Sequence, residues 1–163
     1  MTRALKGSIS EVLEKMFFLP LDFVDPAQPA GERVQEQDLL EISLDFSGPF
    51  RGCFIFSIPS TLARSLAADF MGSDASSVTI AQGEETAKEI LNMIAGSAFS
   101  MFDRNAVFDL GLPKKITGVP VREGGGDEIA LGVETLEGRL VLRLIVNGLA
   151  KTRSTAAGNV VTP

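Results

Sequence analysis

The sequence predicts an α+β fold, an antiparallel sheet with long helices packed on one face. Two segments alternate apolar and polar residues and then return through a Gly-containing turn. Two others carry apolar residues at helical spacing, and each hairpin lies downstream of such a helix. Residues 3–18 read as the first helix, because Ile9, Val12, Leu13 and Met16 recur at helical intervals, with Ser8, Ser10, Glu11 and Glu14 as polar positions. Leu19-Pro20 ends it. Residues 25–37, rich in Pro, Ala and Gly, read as loop, and 22–37 has no further assignment.

Leu40–Ser47 is the first strand, with Leu40, Ile42, Leu44 and Phe46 on one face; Gly48-Pro49 turns the chain and Gly52–Ile58 returns. Pro59-Ser60-Thr61 opens a helix, Leu62 to Met71, stopped by Gly72, and packing on the sheet is the plain reading of it. After the polar loop Ser73–Thr79 comes the long helix, Ala81 to Asp103. Val107–Leu112 and Ile116–Arg122 read as strands around Pro113, and Gly124–Gly126 as loop. Glu128–Glu134 and Arg139–Val146 form a second hairpin across Thr135–Gly138. Residues 1–148 make one domain, and 149–163, poor in large apolar residues, a frayed tail. Glu41-Ile42-Ser43-Leu44 matches Glu128-Ile129-Ala130-Leu131. Two duplicated helix-plus-hairpin halves are one reading; the other is that any two hairpins look alike.

Composition narrows the chemistry. The 163 residues are enough for a real core, 45% being apolar, and contain no histidine. That excludes Ser-His-Asp and Cys-His machinery and makes a zinc or iron site a poor fit. The single cysteine excludes an internal disulfide framework; Cys53 lies in the run Cys53-Phe54-Ile55-Phe56 and reads as a small core hydrophobe. A net charge of -6 without a Lys/Arg run disfavours nucleic acid. Neither a signal-like segment nor an 18-residue apolar run is visible. The expectation is a cytoplasmic protein without membrane or nucleic-acid partners.

The long helix carries the most informative pattern. At about 100° per residue from Glu85, Glu89 lies near 40°, Asn92 near 340° and Gly96 near 20°, while Ile90, Ile94 and Met101 lie opposite and face the core. Glu89 and Asn92 are surface neighbours. Asn92 is a poor helix former, and Gly96 costs about 1 kcal/mol relative to Ala. Such residues on one outward stripe fit a surface that another molecule approaches closely. They also fit a solvated face with a tolerated Asn and a Gly packed on a neighbouring strand. An amide can orient water and a carboxylate can pair with a lysine. Without a tuned base, the pair is suited to completing an active site supplied by another protein.

The segment Glu89-Ile90-Leu91-Asn92-Met93-Ile94-Ala95-Gly96-Ser97-Ala98 resembles the E-x-x-N-x-x-x-G segment of the CheX/CheC/FliY family of chemotaxis phosphatases, with Pro113 at the family's downstream proline. The resemblance extends over roughly 1–148 and implies a CheX-like fold. It also implies hydrolysis of the aspartyl phosphate of a CheY-like response regulator. On it, Glu89 contacts the regulator's lysine and Asn92 positions the attacking water, as the catalytic pair; Glu85, Gly96 and Pro113 support the contact. No cofactor of its own is implied; Mg²⁺ is expected on the phosphorylated partner. Glu85 departs from the family's Asp/Ser. In the first helix, Ser10-x-x-x-Glu14-x-x-Phe17 parallels the pattern with Phe17 in place of Asn, which leaves one site per chain, as in single-site CheX-like members. CheX-like proteins are also similar in forming homodimers through their sheets, and the apolar return strands would offer an edge. Two alternatives stay open: a non-catalytic module that docks a receiver domain, and a structural subunit or ligand sensor.

Overall fold

Turn residues set where the elements stop, and apolar spacing sets which side of each faces inward. The structure, a computed structural model, describes residues 1–28, 38–118 and 126–147. Helix α1 spans Thr2–Ser10 and continues as a π-helical stretch, Glu11–Met16, closed by the Phe17 amide donating to the Val12 carbonyl at 3.3 Å. It ends at Phe17-Phe18, just before the expected Leu19-Pro20. Phe18 has φ of 53°, a left-handed conformation that costs an L-residue about 1–2 kcal/mol. Ser8, read as a polar position, is fully buried, and its hydroxyl donates to the Ile94 carbonyl at 2.6 Å.

The sheet contains β1 (Asp22–Val24), β2 (Leu39–Ser47), β3 (Arg51–Pro59), β4 (Asp109–Leu110), β5 (Lys114–Ile116), β6 (Asp127–Thr135) and β7 (Gly138–Asn147). Every pairing is antiparallel, in the order β1-β6-β7-β3-β2, with β4 and β5 lying one after the other along the outer edge of β2. The two hairpins are those expected. β1 was not, and it falls in the segment left unassigned; residues 29–37 of that loop lie outside the described residues. Where strands over Val107–Leu112 and Ile116–Arg122 are expected, the described residues form one edge broken into β4 and β5. The Gly111 amide extends the ladder to the Asp45 carbonyl at 2.8 Å, and Pro113, with no N–H to donate, interrupts it. Residues 119–125 and the expected tail lie outside the described residues.

Helix α2 spans Ser60–Met71 and α3 spans Ile80–Phe102. Gly72 ends α2 in the left-handed conformation, φ 63°, and the Ser73 amide returns to the Ala68 carbonyl at 3.0 Å. A capping box starts α3: the Thr79 hydroxyl accepts from the Gln82 amide at 3.1 Å, and the Gln82 side chain accepts from the Thr79 amide at 2.9 Å.

Leu40, Ile42, Leu44 and Phe46 face the core with Phe54, Phe56, Ile58, Leu142 and Leu144, and all three helices pack on that face. Cys53 does not. It lies half-buried on the opposite side of β3, where the two-residue period puts it, with Asp45 as its cross-strand neighbour. The core reading of Cys53 is therefore corrected. Burial and, secondarily, the Asp45 carboxylate raise its thiol pKa. Met101, expected in the core, is 46% exposed; it lies on the flank of α3 that meets α1, with its sulfur over Gly7. The return strands β3 and β7 are central and paired on both sides, so they offer no free edge; the edges are β1 on one side and β4/β5 on the other.

The halves are related in their connections. Each runs helix, edge strand, hairpin: α1, β1, β2–β3, and α3, β4/β5, β6–β7. Each edge strand pairs with the other half's hairpin, and β3 and β7 meet at the centre. Gly7 lies near Met101 and Glu11 near Ser97, so α1 and α3 run antiparallel, with α2 on the other flank of α3.

At that flank, a Cβ on Gly83 would stand 3.0 Å from Cγ and 3.3 Å from the backbone nitrogen of Arg64. Gly83→Leu should therefore lower unfolding free energy by about 1–3 kcal/mol, read as a reduced urea midpoint. Cys53 should alkylate with iodoacetamide more slowly at neutral pH than a free thiol does, and speed up as pH rises toward its raised pKa. Asp45→Asn lowers that pKa and should increase the neutral-pH rate.

Candidate functional site

Helix α3 turns Ala87, Ile90, Leu91, Ile94, Ala95 and Ala98 inward, which leaves Glu85, Glu89, Asn92, Gly96 and Ser100 as the outward stripe read from the sequence. Glu89 is exposed and Asn92 half-buried, one above the other on the helix surface. Among the described residues neither makes a side-chain hydrogen bond or ion pair. Their neighbours do. Lys88 binds the Glu85 carboxylate at 3.0 Å and the Glu84 carboxylate at 3.1 Å, and these bonds, Glu85 first, raise the lysine's pKa and keep it cationic. Lys115 of β5 lies 4.0 Å from Glu84. The turn therefore spends its nearby cation on Glu84 and Glu85 and leaves the Glu89 carboxylate free for an outside partner.

Gly96 bears on one part of the solvated-face reading, the packing of this glycine on a strand. Among the described residues three glycines lie in helices; Gly7 and Gly83 each face a neighbouring helix closely, whereas no described residue lies within 4 Å of a Cβ built on Gly96. It does not pack on a strand; it opens the helix surface one turn beyond Asn92. The Ser100 hydroxyl donates to the Gly96 carbonyl at 3.0 Å, and the Ser97 hydroxyl donates to Glu11 of α1 at 2.7 Å, which fixes α1 beside the stripe.

Pro113 lies in the break between β4 and β5 at the β2 edge, and it borders neither of the cavities that the stripe reaches. Phe17, at the first-helix position corresponding to Asn92, is 7% exposed and stacks on Phe70 with ring centroids 6.1 Å apart. An aromatic ring thus stands at the first-helix position that parallels Asn92. Sequence reasoning missed what Phe17 helps to build: an apolar groove of about 340 Å³ formed with Phe70, Met71 and Ala81, whose other wall is Glu85 and Glu89. The pairs Phe17-Phe18 and Phe70-Met71, each at a helix end, were its only signal in the chain. Among the described residues no group of three or more acidic or cysteine side chains is placed to hold a metal ion, and no helix is long and apolar enough to cross a membrane.

No curated protein matches the chain by sequence. The fold is similar to that of the chemotaxis protein CheX from Vibrio vulnificus, with a TM-score of 0.71 and 18% identity over 89% of this chain and 95% of that one. It is equally similar to a CheC-like superfamily protein from Shewanella sp. PV-4, at TM-score 0.71 and 18% identity over 90% and 97% of the two chains. A complex of CheX with CheY, BeF₃ and Mg²⁺ from Borrelia burgdorferi matches with TM-score 0.65 and 14% identity over 90% and 97%. At these identities the likeness is one of fold. Residues 42–128, more than half of the sequence and including the whole of α3, match the family described as chemotaxis phosphatase CheX, and to that family the chain belongs.

Proposed function

We propose that this chain accelerates hydrolysis of the aspartyl phosphate on a CheY-like response regulator, with Glu89 and Asn92 as the catalytic pair. The observation that carries the reading is the free, outward state of both side chains beside the open space at Gly96. In the reaction a water oxygen bonds to phosphorus while the bond from phosphorus to the aspartyl oxygen breaks, returning the carboxylate and releasing inorganic phosphate. The Asn92 amide oxygen accepts a hydrogen bond from that water and holds it in line; the free Glu89 carboxylate pairs with a lysine of the receiver and fixes the register. No histidine is required, because the acyl phosphate is already labile and the Mg²⁺ is the partner's. The CheY, BeF₃ and Mg²⁺ assembled with the Borrelia burgdorferi CheX support this division of labour. Glu85 supports the contact from within its pair with Lys88, and Gly96 supplies clearance. Pro113 acts at most through the shape of the sheet edge.

On this reading the chain works in the cytoplasm beside its partner. A second copy, if it pairs through a sheet, would use β1 or the β4/β5 edge. The non-catalytic docking module remains the competing outcome, and kinetics separate the two.

With a ³²P-labelled receiver domain from the same genome, wild type should speed loss of label. Asn92→Ala should cut that acceleration by about 100-fold while leaving the melting temperature unchanged. Equal decay with both proteins for every receiver tested would sink the enzymatic reading, and binding without acceleration would establish the docking module. Gly96→Ala should separate stability from activity. It should stabilise the helix by up to about 1 kcal/mol, since nothing obstructs the new methyl, yet weaken receiver binding.

A further inference from the structure

The groove beside Glu89 is an exposed apolar surface on an otherwise acidic chain. Phe70 is 67% and Met71 45% exposed at the end of α2. The Gly72 cap fixes where that helix stops. Phe17 forms the floor against Phe70, and Ala81 of α3 lies across from them. Phe18, next in the chain, is 83% exposed on a strained left-handed backbone, so its ring is held in solvent at an energetic cost. Neighbouring large apolar side chains left open in this way mark a contact surface.

We propose that this groove seats a large apolar side chain of the receiver domain, one flanked by a basic residue, and so provides the affinity for the reaction assigned to Glu89 and Asn92. The proposal rests on that functional reading and names how the partner is held. Two features commit the groove to this occupant. It is continuous with the catalytic stripe, since Glu89 lines both. Its rim is acidic on that side, with Glu85 paired to Lys88 and Glu89 unpaired, so an apolar group with a cation beside it satisfies floor and rim together. Groove and amide then do different work. Burial of the partner's side chain supplies binding in ground and transition states alike, whereas the Asn92 amide acts on the attacking water alone.

The test uses the full chain with receiver domains from the same genome, activated by BeF₃ and Mg²⁺, and measures Kd by calorimetry alongside KM and kcat for the ³²P-labelled receiver. Phe70→Asp should raise Kd and KM tenfold or more, and Met71→Ser should raise both in the same direction. The loss should fall on KM rather than kcat. Leu136→Asp, at the exposed turn between β6 and β7, should leave Kd within twofold. Asn92→Ala should keep Kd while losing kcat. If Phe70→Asp and Met71→Ser both bind within twofold of wild type, the groove assignment is overturned while the phosphatase reading stands. If wild type binds the activated receiver with the groove dependence described but never accelerates hydrolysis, the groove stands and the phosphatase reading falls. If Phe70→Asp instead halves the mass of the free protein and leaves receiver affinity intact, the groove is a contact between copies of this chain and the proposal is wrong.

Discussion

Along its inner face α3 carries Ala87, Ile90, Leu91, Ile94, Ala98 and Phe99, none more than 4% exposed. Burying each large member of this set is worth about 1.5–3 kcal/mol, so the helix cannot rotate without exposing it. Its flanks are held as well. Gly83 lets the Arg64 backbone of α2 come close, Gly7 makes room for Met101, and the Ser8 hydroxyl binds the Ile94 carbonyl. At the far end Phe99 stacks on Phe108 with centroids 3.9 Å apart, within a phenylalanine cluster that includes Phe46, Phe50 and Phe54. Phenylalanine is the chain's only aromatic residue type, so this cluster buries no hydroxyl or indole N–H that needs a partner. The direction of the outward stripe is a consequence of this fixed packing.

Electrostatics then sort the carboxylates on that stripe. Glu84, Glu85 and Glu89 lie within two turns, and only one cation, Lys88, sits among them on the helix. A lysine reaches carboxylates three and four residues before it, which are Glu85 and Glu84, whereas Glu89 is its immediate neighbour in sequence and points elsewhere around the helix. Spacing alone therefore leaves Glu89 available. The proposed reaction fits a pair of this chemistry, since a carboxylate and an amide can orient groups about a bond that is already labile.

The first helix carries Phe17 at the position that parallels Asn92. The halves share helix, edge strand and hairpin, and α1 lies antiparallel to α3. But α1 passes into a π-helical stretch over Glu11–Met16, which shifts the side-chain register by about one residue against an α-helix, and Phe17 closes down onto Phe70. The first-half counterpart of Asn92 is thereby converted into a wall of the groove beside Glu89. One helix carries the polar stripe while the other contributes apolar surface to the same region.

Periodicity in the sequence was sufficient for the α+β class, both hairpins, the three helices and the outward placement of Glu89, Asn92 and Gly96. These depend on the repeat lengths of helix and strand, which are local. The resemblance around Glu89–Ala98 was legible for the same reason, since all of it lies on one helix. Tertiary structure alone decided the rest. Cys53 faces away from the helices because the pairing of β3 fixes its parity, and a four-residue apolar run has no alternation to reveal it. Met101 is exposed because it falls at the flank of α3 beside α1, over Gly7. That β4 and β5 share the outer edge of β2 is set by strand pairing between distant parts of the chain. The groove brings Phe17, Phe70 and Glu89 together from three elements far apart in the chain, so no local pattern could contain it. The stripe was written in one helix; what lies next to it was decided by how the helices pack.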